Sequence, residues 1–209
     1  MTSFAALMLA GGQSRRMGRP KAFLALEGEP LWRRQCALLE TLAPSERLLS
    51  SPPGDPLARE GWRPIADAAA GAGPLGGIVA ALETIVSPLL LVLGVDLPAM
   101  RADVLRRLLD AAQPGLGAAF RRETWYEPVA AVYPRELAPS ARRRLERGEC
   151  GLQALCAEAA RRGMLTSLPL PEACAGAFRN WNTPADASGA ETDPVCGGET
   201  DENADAPDH

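Results

Sequence analysis

The run Leu89-Leu90-Leu91-Val92-Leu93-Gly94-Val95 leads without a break into Asp96-Leu97-Pro98. An uninterrupted apolar segment of this length reads as a central parallel strand buried on both faces, which needs helices above and below it. Pro98 stops the strand, so Asp96 projects at its carboxyl end, the edge of an open α/β sheet where ligands bind. A hard cation takes oxygen ligands and keeps several waters, so this carboxylate reads as a magnesium ligand bridging to triphosphate oxygens. An aspartate that merely caps the following segment is the alternative.

A second anchor lies near the start of the chain. Phe4 to Leu9 has strand length and apolar character, and Ala10-Gly11-Gly12-Gln13-Ser14 follows with no side chain large enough to cover the backbone. Bare amides beside two glycines let an anion approach closely, and Arg15, Arg16, Arg19 and Lys21 stand within reach of its oxygens. Lys21 is the only lysine among 22 basic residues, so a compact ammonium stands here in a chain that otherwise uses the planar guanidinium. The loop is neither of the common phosphate loops. Gly18 is followed by Arg-Pro-Lys rather than Lys-Ser/Thr, and Gln13 stands where a dinucleotide fingerprint needs its second glycine.

Between and beyond these anchors, helices and strands alternate. Leu31, Gln35, Leu38, Leu39 and Leu42 have helical spacing after Glu29-Pro30, and Arg47 to Ser51 reads as a strand. Pro52 to Pro64 reads as a plain connector. Gly71, Gly73, Gly76 and Gly77 surround Pro74-Leu75, with Pro74 opening a helix that buries Leu75, Ile78, Val79, Leu82 and Ile85. That glycine-rich entry is a further place where something flat or anionic can lie against backbone. Ala102 to Ala112 reads as a helix and Gly115 to Phe120 as a strand. Arg121 to Glu127 is a polar excursion carrying Trp125 and Tyr126, read equally as a contact for an acceptor substrate or as a hairpin edge. Pro128 to Tyr133 is a strand, and Pro134 starts a helix with Arg142, Arg143, Arg144 and Arg147 on a solvated face. A helix from Leu152 and a strand over Leu165 to Leu170 follow. Phe178, Asn180 and Asn182 alternate in an extended segment before Thr183-Pro184. The expected architecture is a three-layer α/β/α sandwich on a mainly parallel, Rossmann-like nucleotide-binding sheet.

Composition narrows the chemistry. The only histidine is His209, which excludes a Ser-His-Asp triad and a histidine-ligated zinc. Five cysteines, an odd number without a C-x-x-C pair, predict reduced thiols. The net charge of −4 is uneven: eight acids and no base lie from Asp186 onward, leaving 18 acids against 22 bases before it. A mildly basic body suits a small anionic ligand and is too weakly charged for nucleic acid. Residues 1–186 are expected to form one domain and 187–209 an acidic, disordered tail. No apolar run spans a bilayer and no charged region precedes the first one, so a soluble cytoplasmic protein without membrane contact is expected.

L-A-G-G-x-S-x-R-M-G-x-x-K at Leu9 to Lys21, G-P-L-G-G at 73 to 77, the aspartate of Asp96-Leu97-Pro98 and N-x-N-T-P-x-D from Asn180 occur in the order of a known family. The chain resembles the molybdenum cofactor guanylyltransferases, molybdopterin nucleotidyltransferases of glycosyltransferase-A-like fold. The resemblance implies transfer of GMP from GTP to molybdopterin with Mg²⁺ as cofactor. It places the nucleobase and ribose at Leu9, Ala10, Gly11 and Gly12, the phosphates at Arg16 and Lys21, and the guanine side near Asp67, Pro74 and Leu75. Asp96 would hold the metal, and Asn180 and Asn182 the pterin acceptor. Lys21, Arg16 and Asp96 would be catalytic, and transient contact with molybdoenzymes or their chaperones is implied. Pro20 departs from the family, many of whose members carry an acidic residue before the lysine. A cytidylyl or sugar-phosphate nucleotidyltransferase of the same fold, or a non-catalytic nucleotide-binding module, remains an open alternative.

Overall fold

The structure, a computed structural model, describes residues 2–10, 22, 25–26, 28–51, 57 and 59–180. Strand β1 (Phe4–Leu9) is followed by a short antiparallel pair, β2 (Ala25–Leu26) and β3 (Glu29–Pro30), and then by α1 (Leu31–Glu40). Next come β4 (Glu46–Ser50), β5 (Arg63–Ile65), α2 (Pro74–Thr84), β6 (Leu89–Gly94) and α3 (Ala102–Asp110). The last part holds β7 (Gly117–Arg122), β8 (Trp125–Pro134), α4 (Ala138–Glu146), α5 (Leu152–Arg161) and β9 (Leu165–Pro169). Two 3₁₀ segments, Arg135–Leu137 and Glu172–Phe178, join and close these elements.

Seven strands form one sheet in the order β5-β4-β1-β6-β8-β7-β9. β8 alone runs against the others, pairing antiparallel with both β6 and β7. All six residues of β1 and of β6 are buried, as a strand covered on both faces requires. Alternation sorts them: Phe4, Ala6 and Met8 pack under α1 and α3, while Ala5, Leu7 and Leu9 pack under α2, α4 and α5. Each face thus has its own apolar layer, and the three-layer expectation holds.

The boundaries differ where periodicity is weak. β5 begins in the stretch expected to be a plain connector and runs one residue past it. Its three residues are too few to show alternation, and Pro64 is tolerated because β5 is an edge strand with no second ladder to supply. β8 runs through Pro134, so the helix expected there begins only at Ala138, after a 3₁₀ turn. Arg142 of α4 pairs with Glu83, and Arg144 lies 3.2 Å from Glu149 and from Glu158, so those arginines brace neighbouring elements. Cys36, Cys150 and Cys156 are free thiols, whereas Cys174 is disulfide-bonded. An odd cysteine count excludes complete pairing, not a single bridge. Among the described residues no helix is long and apolar enough to cross a membrane.

At the end of α1, Glu40 accepts hydrogen bonds from Nε and Nη2 of the Arg59 guanidinium (2.8 and 2.7 Å) and from the Trp62 indole (2.7 Å). The Arg59 bonds, with help from Trp62 and against partial burial, lower the Glu40 carboxyl from 4.5 to about 2. Because the folded value is depressed, this clamp stabilises the fold above the unfolded value and is lost as pH falls towards 2. The stability gap between wild type and Glu40→Gln should therefore shrink as urea unfolding is repeated from pH 6 down to 3; an unchanged gap contradicts the clamp. A second test concerns Gly77 in α2, where a Cβ would stand 2.7 Å from Ser50 Oγ and 2.8 Å from Leu9 Cδ2. Gly77→Ala should lower unfolding free energy by about 1–3 kcal/mol, the usual range for overpacking.

Candidate functional site

Every parallel strand of the main sheet ends on the same edge, and the strand order reverses direction between β1 and β6. From β1 the chain steps outward to β4 and β5, then returns under α2 to place β6 on the other side of β1. Such a reversal opens a crevice at the carboxyl ends, because the loops leaving the two strands part to opposite sides. Two backbone bonds fix that crevice. Ala10 N–H donates to Ser50 C=O at 3.0 Å, and Val95 N–H donates to Leu9 C=O at 3.1 Å. The end of β1 is thereby held to the ends of both neighbours, and the chain leaves the sheet at Ala10.

Asp96 follows β6 directly and is partly exposed. Its Oδ1 lies 2.6 Å from where a Cβ on Gly94 would stand, so the missing side chain at Gly94 is what lets the carboxylate fold over the strand end. Gln35, fully buried on α1, donates its side-chain amide to the Leu97 carbonyl and ties the helix to the turn that carries Asp96. Among the described residues no cluster of three metal-ligating side chains exists. A single carboxylate at a solvent-accessible edge suits a magnesium ion that takes its other ligands from nucleotide phosphates and water. The donor set therefore fits Mg²⁺ on Asp96.

On the β4 side of the crevice, Ser50 Oγ donates to Asp67 Oδ1 at 2.7 Å, and the Ala68 amide donates to the Gly76 carbonyl at 3.1 Å. These bonds hold Asp67 beside the first turn of α2. Pro74 is exposed at that helix start, while the Leu75 side chain is fully buried in the core, which leaves its backbone as the part a ligand can meet. Leu9 and Ala10 are likewise buried. Their contribution is a close-packed floor.

On the other side of Asp96, β7 and β8 join in a hairpin pairing Arg122 with Trp125 around Glu123-Thr124, with Glu123 at φ 46°. Of the two readings of this excursion, the structure shows the hairpin. A bulge between Ala119 and Arg121 of β7 gives β8 extra residues there, and Pro128 sits among them, where a missing amide disturbs no ladder. Next to it, Glu127 is partly buried, which raises its carboxyl above the ordinary range despite Arg122 at 3.4 Å. Arg122 also donates to the Ala175 carbonyl at 3.2 Å, joining the hairpin to the 3₁₀ segment. A cleft of about 690 Å³ lies between them, with Trp125, Glu127, Phe178 and Arg179 among its walls.

The structure thus brings Leu9, Ala10, Asp67, Pro74, Leu75 and Asp96 to one edge. Gly11, Gly12, Arg16, Lys21 and Asn182 lie outside the described residues. Asn180 is exposed just past the 3₁₀ segment, and the alternation expected of Phe178 and Asn180 is not that of a strand. Phe178 ends the 3₁₀ turn and packs edge-on against Phe120, with ring centres 5.6 Å apart. Sequence reasoning gave no role to Ser50 and treated Gln35 only as an apolar-face position. A polar residue at a strand end or on a buried helix face was the available signal.

Comparison with known proteins identifies the family. Residues 6–163 match the family described as MobA-like NTP transferase domain. A probable molybdenum cofactor guanylyltransferase from Opitutus terrae is 36% identical over 188 residues, covering 88% of this chain and 93% of its own. A protein of the same description from Deinococcus radiodurans is also 36% identical, over 89% of this chain and 93% of its own. Among solved structures, molybdopterin-guanine dinucleotide biosynthesis protein A from Archaeoglobus fulgidus superposes with a TM-score of 0.69 at 23% identity, covering 88% and 95% of the two chains. The 2-C-methyl-D-erythritol 4-phosphate cytidylyltransferase from Thermus thermophilus superposes at 0.62 with 18% identity over 87% and 94%, so the fold is shared across base and acceptor classes. On the sequence match over most of its length, the chain belongs to the MobA-like nucleotidyltransferase family.

Proposed function

We propose that this nucleotidyltransferase transfers GMP from GTP to molybdopterin, releasing pyrophosphate and forming the guanine dinucleotide cofactor. The observation that carries the reading is the Val95-to-Leu9 bond, which holds the end of β1, from which the glycine-rich sequence continues, against the strand end that leads to Asp96 at the strand-order reversal. The resemblance assigns the triphosphate to the glycine-rich sequence that continues from Ala10, with Arg16 and Lys21 for its charge, and to the Asp96 carboxylate. G-P-L-G-G at the start of α2, the guanine-side motif, supports GTP over CTP.

In the reaction, the terminal phosphate of molybdopterin attacks the α-phosphorus of GTP in line, a P–O bond forms, and the bond to the β-phosphate breaks. A phosphate nucleophile is already ionised at neutral pH, so no general base is required, which suits a chain without an internal histidine. The chain's work is alignment and charge neutralisation. Lys21 and Arg16 meet the negative charge that builds on the phosphates, and Asp67 and the first turn of α2 hold the nucleoside. Asp96 holds Mg²⁺, which when bound neutralises the triphosphate and the leaving pyrophosphate. Asn180 and Asn182 orient the acceptor.

Lys21→Ala and Asp96→Asn should each lower turnover roughly 10²-fold or more, as loss of one preorganised electrostatic group does, with little change in melting temperature. Pyrophosphate release measured with molybdopterin and GTP checks this, and near wild-type rates in either variant contradict the site. Thermal stabilisation by GTP, CTP, ATP and UTP tests the base. GTP with Mg²⁺ should give the largest shift, approaching about 2.7 kcal/mol at 100 times its dissociation constant. A larger shift with CTP would reassign the reaction to cytidylyl transfer.

A further inference from the structure

The acceptor-side cleft has a chemical character of its own. Trp125 is 65% exposed, one of only two large apolar side chains so placed among the described residues, and it stands on a hairpin rather than a loose loop. Gln153 of α5 pins the neighbouring Tyr126 backbone twice, accepting from its amide at 2.9 Å and donating to its carbonyl at 2.8 Å. The Tyr126 hydroxyl adds a 3.1 Å bond to Ser167 of β9. Arg122 fastens the opposite wall through Ala175, so the cleft is formed before any ligand arrives. Within it are a flat indole, two carboxylates, the exposed Glu123 at the hairpin tip and the partly buried Glu127 beneath it, and the exposed Arg179, which pairs with no acid among the described residues.

A pteridine with a 2-amino-4-oxo ring presents two adjacent N–H donors, at the exocyclic amine and at N3, and a flat face. Two carboxylate oxygens match the donor pair, an indole matches the face, and a guanidinium matches a phosphate. We propose that this cleft reads the pterin ring of the acceptor, with Glu127 accepting from the amine and N3–H, Trp125 stacking on the ring and Arg179 meeting the acceptor's phosphate. The inference rests on the guanylyltransferase reading and assigns residues to its acceptor half. The placement is consistent with transfer at Asp96: Gly94 at the end of β6 faces Val129 of β8, and Asp96, in the turn after β6, and Glu127 of β8 are each two residues from that pair in the direction of the same edge. Guanine carries the same amine and N–H edge, so the test has to separate the two rings.

Neopterin monophosphate, a fluorescent and air-stable pterin phosphate, is titrated onto the full chain with and without saturating GTP, and its 2-oxo counterpart alongside. Wild type should bind the pterin whether or not GTP is present and prefer it to the 2-oxo ring. Glu127→Gln should weaken pterin binding about 10-fold and erase that preference, since a lost charge-assisted pair is worth at least that much. Trp125→Ala should weaken both rings about 10-fold, the scale of one stacked base. GTP affinity should stay within about twofold in both variants, which also reports that they fold. Pterin binding that is absent in wild type or unchanged in the variants overturns the inference while leaving GTP binding, and so the guanylyltransferase reading, intact. Displacement of the pterin by GTP, with GTP affinity falling in Glu127→Gln, would make the cleft a guanine site and overturn it as well. Failure of wild type to bind GTP would instead count against the parent reading.

Discussion

The structure depends on the end of β1 being locked between its neighbours. Leu9 gives its carbonyl to Val95 and Ala10 gives its amide to Ser50, so the strand that launches the glycine loop cannot shift against β4 or β6 without breaking a buried backbone bond. Both strands of the crevice are apolar on two faces, and a one-residue slip would turn each side chain towards the wrong helical layer. Register is therefore set by packing, and the position of Asp96 follows from register. Small residues make the closeness possible: Gly77 lets α2 rest on Ser50 and Leu9, and Gly94 leaves room for the carboxylate.

From that fixed centre the carboxyl edge divides in two. β5, β4 and β1 lie on one side of β6, with Asp67 and the start of α2 above them; β8, β7 and β9 lie on the other, with the hairpin and the 3₁₀ segment. Neighbouring strands are about 4.8 Å apart, so two strands to either side of β6 is about 10 Å. The antiparallel insertion of β8 serves this division, because a hairpin brings two strand ends and a turn to the edge where a parallel crossover would bring one.

The parts legible from sequence were those with a strong local signature. Leu89 to Val95 could only be a strand covered on both faces, and Pro98 fixed where Asp96 emerges. Pro74 with the apolar spacing behind it gave α2 to within a residue. What could not be read was decided by tertiary pairing. β5 has three residues and no alternation, and becomes a strand only because β4 offers it an edge. The Phe178 to Asn182 segment imitates a strand in its pattern, yet Phe178 is drawn into a 3₁₀ turn by the Phe120 ring. Glu127 belonged to an excursion read equally as a hairpin edge or as an acceptor contact. The structure shows the hairpin, and no single-residue preference announces the bulge around Pro128.

The central claim is that this edge joins a guanine nucleotide to a molybdopterin phosphate. It is tested most directly by incubating the purified chain with molybdopterin, Mg²⁺ and an equimolar mixture of GTP and CTP, and identifying the products by mass spectrometry. The account predicts the guanine dinucleotide and pyrophosphate in equal amounts, with CTP left intact. The cytosine dinucleotide as the main product, or release of inorganic phosphate with no dinucleotide, would contradict it.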